Sequence, residues 1–339
     1  MQPLRSDRHR SKHSLRRASF EQLVKRAFRP KKQNTGSSPT YMSQSNNDSM
    51  LLTFPSTTGG PIVCDPNSDQ QFQRRVRQQY PQSYEFEGHY VEHEMTHIGH
   101  MFTSGLCPVA GRDVLEFGCN IGATSIVLAH YGADVTAVDV SSESIDLARL
   151  NARRYEMTNR IRFWLVRPGQ QLPFANRSFD VITCNSVLEY VRPELLVQVQ
   201  RELDRVLRPG GLLLVFGTSN RLSPVEPHSG KWFVNYLPRA FDGLAGKRME
   251  RGVSPWRLRQ GFGDSYTDLL SGRAGIQQYV ELKQRMGLNG WRLRALRTAA
   301  PILAASGISL GLLLPYATVL LRKPVESEWA EPLLRVAAA

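Results

Sequence analysis

The stretch Val114-Leu115-Glu116-Phe117-Gly118-Cys119-Asn120-Ile121-Gly122 constrains this chain more than any other: an apolar strand runs into a glycine turn, and the turn opens an apolar helix. Gly118 and Gly122 let the backbone turn tightly and approach a ligand without a Cβ in the way. The helix starting near Ile121 directs its N-terminal amides into the same cleft. A second apolar run, Val135-Thr136-Ala137-Val138, ends in Asp139, at the spacing where a βαβ unit presents a carboxylate to ribose hydroxyls. Together the two signals imply a nucleotide-type cofactor. The G-x-G-x-x-G spacing of nicotinamide and flavin enzymes is poorly met, because Gly118, Asn120 and Ala123 occupy its three glycine positions.

Apolar periodicity places strands at 113–117, 134–139, 160–165, 179–184 and 212–217. Helical patterns lie between them at about 121–131, 141–156 and 193–207. Leu196, Val199, Leu203, Val206 and Leu207 share one face of the last helix, and Pro209-Gly210-Gly211 is expected to stop it, as Gly132 stops the first. Such alternation makes a parallel sheet covered on both faces.

Three further segments follow in order: Leu172-Pro173-Phe174 leading into Ser178-Phe179-Asp180-Val181-Ile182, then Val187-Leu188-Glu189-Tyr190-Val191, then Leu207-Arg208-Pro209-Gly210-Gly211. This series resembles the class I S-adenosylmethionine-dependent methyltransferases, most closely the type 11 small-molecule group, over roughly Arg112 to Gly217. The resemblance implies an α/β, Rossmann-like seven-stranded, mostly parallel sheet with helices on both faces, an antiparallel last strand and a helical lid insertion. It implies S-adenosyl-L-methionine as cofactor. Glu116, Gly118, Asn120 and Gly122 would line its methionine side, Asp139 would take the ribose hydroxyls, and Asn185 and Ser186 would close the far wall. Family members often carry an acidic residue four before the leucine of Leu-Pro-Phe to meet the adenine amino group. Pro168 stands there, which leaves the backbone amide of Gly169 as the contact to the ring.

Methyl transfer asks mainly for alignment of an acceptor and exclusion of water, and no metal is expected. For a hydroxyl acceptor, a nearby base helps to remove the proton. The segment from Asn220 to Phe233 leaves the carboxyl end of the fifth strand, where ligands of open α/β sheets bind. Glu226 and His228 are expected to face the acceptor, with His228 as base and Trp232 as a wall. His93-Glu94-Met95-Thr96-His97 matches the HExxH zinc-hydrolase pattern, but His100 and Thr103 stand where the extended motif needs glycine and histidine. These histidines are expected on a helix covering the cofactor. A zinc hydrolase and a catalytically silent adenosyl-binding module are the competing classes.

Composition bounds the rest. A chain of 339 residues with 41% hydrophobic content buries one large core and a smaller lid. Cys64, Cys107, Cys119 and Cys184 lack metal-ligand spacing and read as reduced thiols of a cytoplasmic protein. The net charge of +13 is concentrated at the start, where the first fifty residues hold 11 Lys/Arg against 3 Asp/Glu. Residues 1–68 are expected to be a mostly disordered basic tail. Within it, Ser19 is expected to cap a short helix whose Phe20, Leu23, Val24, Ala27 and Phe28 form a stripe suited to an anionic membrane surface. Nucleic acid is the other partner of a basic tail, as for an RNA methyltransferase. Cys184-Asn185-Ser186-Val187 lacks the Pro-Pro-aromatic run of base amino methylases, which weighs against it.

The methyltransferase core is expected over 69–218, a substrate lid over 219–289, and the end of the sheet with an apolar hairpin and a tail over 290–339. Residues 298–321 carry no charge, but Pro301, Gly307, Gly311 and Pro315 interrupt them. Trp291 to Leu296 reads as a sixth strand and Tyr316 to Leu321 as an antiparallel seventh. The acceptor is expected to be a small molecule or a lipid, methylated at oxygen, with the protein peripheral at a membrane.

Overall fold

The computed structural model describes residues 50–52, 62–83, 87–227, 229–241 and 251–325. The region proposed as an amphipathic helix near Ser19, and His228, lie outside the described residues. A seven-stranded sheet organises the chain. Its members are β3 (Asp113–Phe117), β4 (Asp134–Asp139), β5 (Ile161–Leu165), β6 (Phe179–Asn185), β7 (Leu207–Ser219), β8 (Thr267–Asp268) and β9 (Tyr316–Arg322). They run in the spatial order β5-β4-β3-β6-β7-β9-β8. β3 pairs in parallel with β4, Val114 opposite Val135, and with β6, Val114 opposite Val181. β9 is antiparallel to β7 and also carries β8 antiparallel at the edge. The Rossmann-like sheet with an antiparallel last strand is therefore present.

Strand alternation divides the core in two. Val114, Val135, Val181, Leu212 and Leu214 face one apolar cluster, while Leu115, Val138, Ile182, Leu213 and Val215 face the other. Helices α4 (Ala123–His130), α5 (Ser142–Arg154), α8 (Gly272–Arg285) and α9 (Gly290–Ser306) contribute to the first. Helices α6 (Leu196–Val206) and α7 (Pro255–Arg259) contribute to the second. The direction of strand addition reverses between β3 and β6, and the cleft of such a sheet opens above that point.

Five expectations change. Trp291 to Leu296 is not a strand but the start of α9, and the strand that completes the sheet is Thr267–Asp268. Leu293, Leu296, Ala300, Leu303 and Ala304 pack on the core at helical spacing, whereas Trp291, Arg292 and Arg294 are exposed. Pro301 does not end α9; the left-handed Gly307 (φ +70°) does. Residues 219–289 contribute more than a lid, since β8 extends the sheet and α8 buries Ile276, Tyr279 and Val280 in the core. The basic tail ends earlier than residue 68, because β1 (Met50–Leu52) pairs with β2 (Ile62–Cys64), and Ile62 and Cys64 are buried. β7 also begins at Leu207, ahead of Pro209-Gly210-Gly211, and runs through them.

The N-terminal cover is tied down by one side chain. Helix α1 (Pro66–Gln79), capped by Asp65 on Ser68 N–H, lays Phe72 and Val76 on Leu147 and Leu150 of α5. Arg154, only 4% exposed, lies 2.7 Å from Asp69 of α1, donates to the Gly88 carbonyl at 2.9 Å, and stacks over Phe72 at 5.1 Å. Asp69 keeps partial access to water, so removal of Arg154 leaves its partner able to rehydrate. Arg154→Ala is expected to cost roughly 2 kcal/mol in urea unfolding. A loss below about 0.5 kcal/mol, the range of ordinary surface changes, would contradict this anchoring role.

Candidate cofactor and acceptor site

Between β3 and α4 the chain takes three left-handed residues in five: Gly118 (φ +81°), Asn120 (φ +46°) and Gly122 (φ +77°). A Cβ on Gly118 would stand 2.2 Å from Val187 Cγ2, and one on Gly122 would stand 3.1 Å from Ala148 Cβ. Gly118 is therefore required by space as well as by φ, whereas at Gly122 the left-handed φ is the stronger demand and the added Cβ would only be tight. Asn120 fills the middle left-handed place, a conformation that Asn tolerates better than most side chains. Ala123 lies already inside α4, where no positive φ is needed. The turn thus does its work with Asn120 in the middle left-handed place.

Asp139 ends β4 beside this turn. Its carboxylate accepts from Asn120 N–H at 2.8 Å and from Ser141 N–H at 2.9 Å, and Ser141 caps α5 by accepting from Ser144 N–H. On the other side of β3, Asn185 ends β6 and donates to Glu94 Oε2 at 2.8 Å and to Thr124 Oγ1 at 3.0 Å. Ser186 is left-handed (φ +50°) and its hydroxyl donates to the Gly217 carbonyl at 3.1 Å. Gly169 (φ +70°) sits beyond β5, its carbonyl held by Gln198 at 2.8 Å. Glu116, Gly118, Asn120, Gly122, Asp139, Asn185 and Ser186 thus gather at the carboxyl ends of β3, β4 and β6, with Gly169 on the adjoining loop.

Glu116 is 2% exposed and accepts from Ser125 Oγ in the first turn of α4. Burial pushes its carboxyl up to about 8 despite that bond. Glu94, which the sequence reading assigned to a covering helix, is 3% exposed and is raised to about 7 by burial. It belongs to α2 (Tyr90–Thr96) and was missed as a site residue, although its place beside Val91 and Met95 on the apolar face of that helix was a signal. In the same helix the His93 and His97 rings stack at 3.9 Å, with His97 Nδ1 2.7 Å from the His93 carbonyl. Burial lowers His93 to about 3. Among the described residues no group of three or more His, Cys, Asp or Glu is placed to hold a metal ion.

Past β7, Glu226 is fully buried; it accepts from Ser219 Oγ at 2.9 Å and from Ser229 N–H at 2.6 Å. The bridge of Val225 to Trp232 closes the turn between them. Trp232 is 68% exposed and begins a ridge with Phe233 and Tyr236, ring centroids 5.8 and 6.3 Å apart in succession.

The side chains fit a cofactor with a cationic amino-acid end and a ribose: carboxyl groups at Glu116 and Asp139 beside a glycine turn in which a Cβ on Gly118 would collide with Val187. Gly118→Ala is expected to raise the dissociation constant for S-adenosylhomocysteine at least about tenfold, through overpacking and φ strain together. Gly263→Ala is the control: its φ is +75° but nothing lies within 4 Å of the added Cβ, so affinity should not change. Equal affinity of wild type and Gly118→Ala by calorimetric titration would contradict the cradle.

Comparison with known proteins agrees with this geometry. Residues 115–215 match the family model described as a methyltransferase domain, which spans β3 to β7. A ubiquinone biosynthesis O-methyltransferase of Azoarcus sp. is 30% identical over 180 residues, 52% of this chain and 73% of that protein. The protein of the same name from Paracidovorax citrulli is 29% identical over 202 residues, 58% and 80% of the two chains. That of Albidiferax ferrireducens is 31% identical over 151 residues, 43% of this chain but only 58% of the relative's length. The turn, the sheet order and these matches converge: the chain belongs to the type 11 group of class I S-adenosylmethionine-dependent methyltransferases, and its cofactor is S-adenosylmethionine.

Proposed function

We propose that this protein methylates a hydroxyl group of a small, lipophilic acceptor. One observation carries the reading: an exposed aromatic ridge, Trp232-Phe233-Tyr236, stands on the segment that leaves the carboxyl end of β7. Exposed aromatic rings next to a cleft favour an apolar ligand over a highly charged one. The names of the relatives, ubiquinone biosynthesis O-methyltransferases, support oxygen as the acceptor atom and a lipophilic substrate class.

In this proposal Glu116, Gly118, Asn120 and Gly122 hold the methionine end, Asp139 takes the ribose hydroxyls, Gly169 offers its amide to the adenine edge, and Asn185 and Ser186 form the far wall. The cofactor, when bound, supplies a methyl group already activated on a sulfonium. The chain's own residues then have three tasks: to place the hydroxyl in line, to keep water out, and to take a proton. His228 is the proposed proton acceptor. Glu226 is braced by Ser219 and Ser229, and Trp232 walls the acceptor.

The basic surface supports an acceptor presented at an anionic membrane. Burial, and after it the field of Arg239, Arg251 and Arg257, lowers the pKa of Arg221. Arg251 holds this corner by donating to the Leu237 and Pro238 carbonyls at 3.1 Å each. Exposed Trp256 and Leu222 lie close in sequence to these arginines. On α9, Trp291 and Ile302 are exposed alongside Arg292, Arg294 and Arg297. Among the described residues no helix is long and apolar enough to cross a membrane.

The test is transfer of a labelled methyl group to catechol and to an alkyl-substituted catechol, with and without anionic vesicles. The expected result is an O-methyl product, with kcat/KM at least about tenfold higher for the alkylated acceptor, the scale of a few buried methylenes. His228→Ala should lower kcat about 100-fold and leave cofactor affinity intact, the lower end of what a positioned base contributes. Transfer to neither acceptor, or full turnover by His228→Ala, would overturn the respective assignment.

A further inference from the structure

Glu94 and Glu116 come from different elements, α2 and β3, yet meet in one buried network. Asn185 Nδ2 binds Glu94 Oε2 at 2.8 Å and Thr124 Oγ1 at 3.0 Å, while Thr124 and Ser125, the second and third residues of α4, bind Glu116. Tyr90 adds a side-chain hydrogen bond to Glu94. Two carboxyl groups linked through Asn185 and Thr124 in one network, at 3% and 2% exposure, cannot both ionise at low cost.

The neighbours relieve the pair only in part. Hydrogen bonds from Tyr90 and Asn185 act to lower Glu94, and those from Ser125 and Thr124 act to lower Glu116, but burial outweighs them, and Glu94 and Asp139 push Glu116 further up. Tyr90 in turn feels Glu94, Glu87 and Glu116, and the thiols of Cys119 and Cys184 feel Glu116. These groups are neutral or acidic, so the network calls for positive charge, and the cofactor of this family carries it as an ammonium and a sulfonium.

We propose that Glu94 and Glu116 form one receptor for the positive charge of the cofactor, sharing a proton that leaves as the cofactor binds. The inference rests on the cofactor assignment and adds to it a second carboxylate from the HExxH segment. The balance is simple: one carboxyl O–H bond breaks, the proton passes to buffer, and the pair goes from one negative charge to two as the cation arrives. Burial acts in the same direction on both groups, to about 7 for Glu94 and about 8 for Glu116. Protons and cofactor therefore compete, and affinity falls as pH drops below this range. Without cofactor the sign for folding is opposite. Carboxyls raised in the folded state stabilise it most below the unfolded carboxyl value, and that stability is lost as pH rises from about 4.5 to about 8.

The experiment is calorimetric titration of the full chain with S-adenosylmethionine at pH 7, in two buffers of different protonation enthalpy. Wild type should release about one proton per cofactor bound. Glu94→Gln should release fewer protons, because only Glu116 is left to titrate, and should show a flatter dependence of affinity on pH. A buffer-independent heat in the wild type, or an unchanged proton count in Glu94→Gln, would overturn the proposal. If the variant does not fold, the wild-type count decides, together with the fall in thermal stability of the cofactor-free wild type between pH 5 and pH 8 expected from the same linkage. Absence of any binding heat in folded wild type would instead overturn the cofactor reading, and the proposal with it.

Discussion

Three left-handed residues at the end of β3 set the geometry on which the site depends. With φ of +81°, +46° and +77° at Gly118, Asn120 and Gly122, the chain reverses sharply enough to start α4 above the strand it has just left. The reversal places Asn120 N–H on the Asp139 carboxylate, brings Val187 against Gly118, and sets Thr124 and Ser125 over Glu116. Without it the ends of β3, β4 and β6 would still be neighbours, because the parallel pairing fixes that, but no concave backbone would join them.

Much of this was legible because it is local. The strand, the turn and Asp139 were readable from residue type and spacing, and the helix that follows was displaced only by two residues, since Gly122 caps it in a left-handed conformation. The parallel core strands were legible for the same reason: buried on both faces, they appear as unbroken apolar runs. The failures were where tertiary packing decides. Trp291 to Leu296 alternates well enough to suggest a strand, but Leu293, Leu296 and Ala300 reach the core only at helical spacing. The two-residue β8 has no periodicity of its own and exists because β9 offers an edge to pair with. Glu94 was hidden by a motif: the HExxH spacing drew attention to the histidines, while the glutamate between them reaches Asn185, distant by 91 positions.

The two sides of the cleft differ in character. On the cofactor side, polar groups are committed to one another, from Ser141 on the half-buried Asp139 to Asn185 on the buried Glu94. On the proposed acceptor side, Glu226 and Asn235 are buried braces beneath an exposed aromatic ridge; Asn235 donates to the Ser223 carbonyl at 2.8 Å and accepts from Gly252 N–H at 2.9 Å. A rigid cofactor cradle beside an apolar rim suits a fixed donor and a poorly soluble acceptor.

The most direct measurement is a crystal structure of the chain with S-adenosylhomocysteine. Density is expected across the carboxyl ends of β3 and β6, with the ribose hydroxyls on Asp139, the amino group toward Glu116 and Glu94, and the adenine edge at Gly169. Density at the His93–His97 pair, or a ligand that leaves Asp139 bonded only to Asn120 and Ser141, would contradict it.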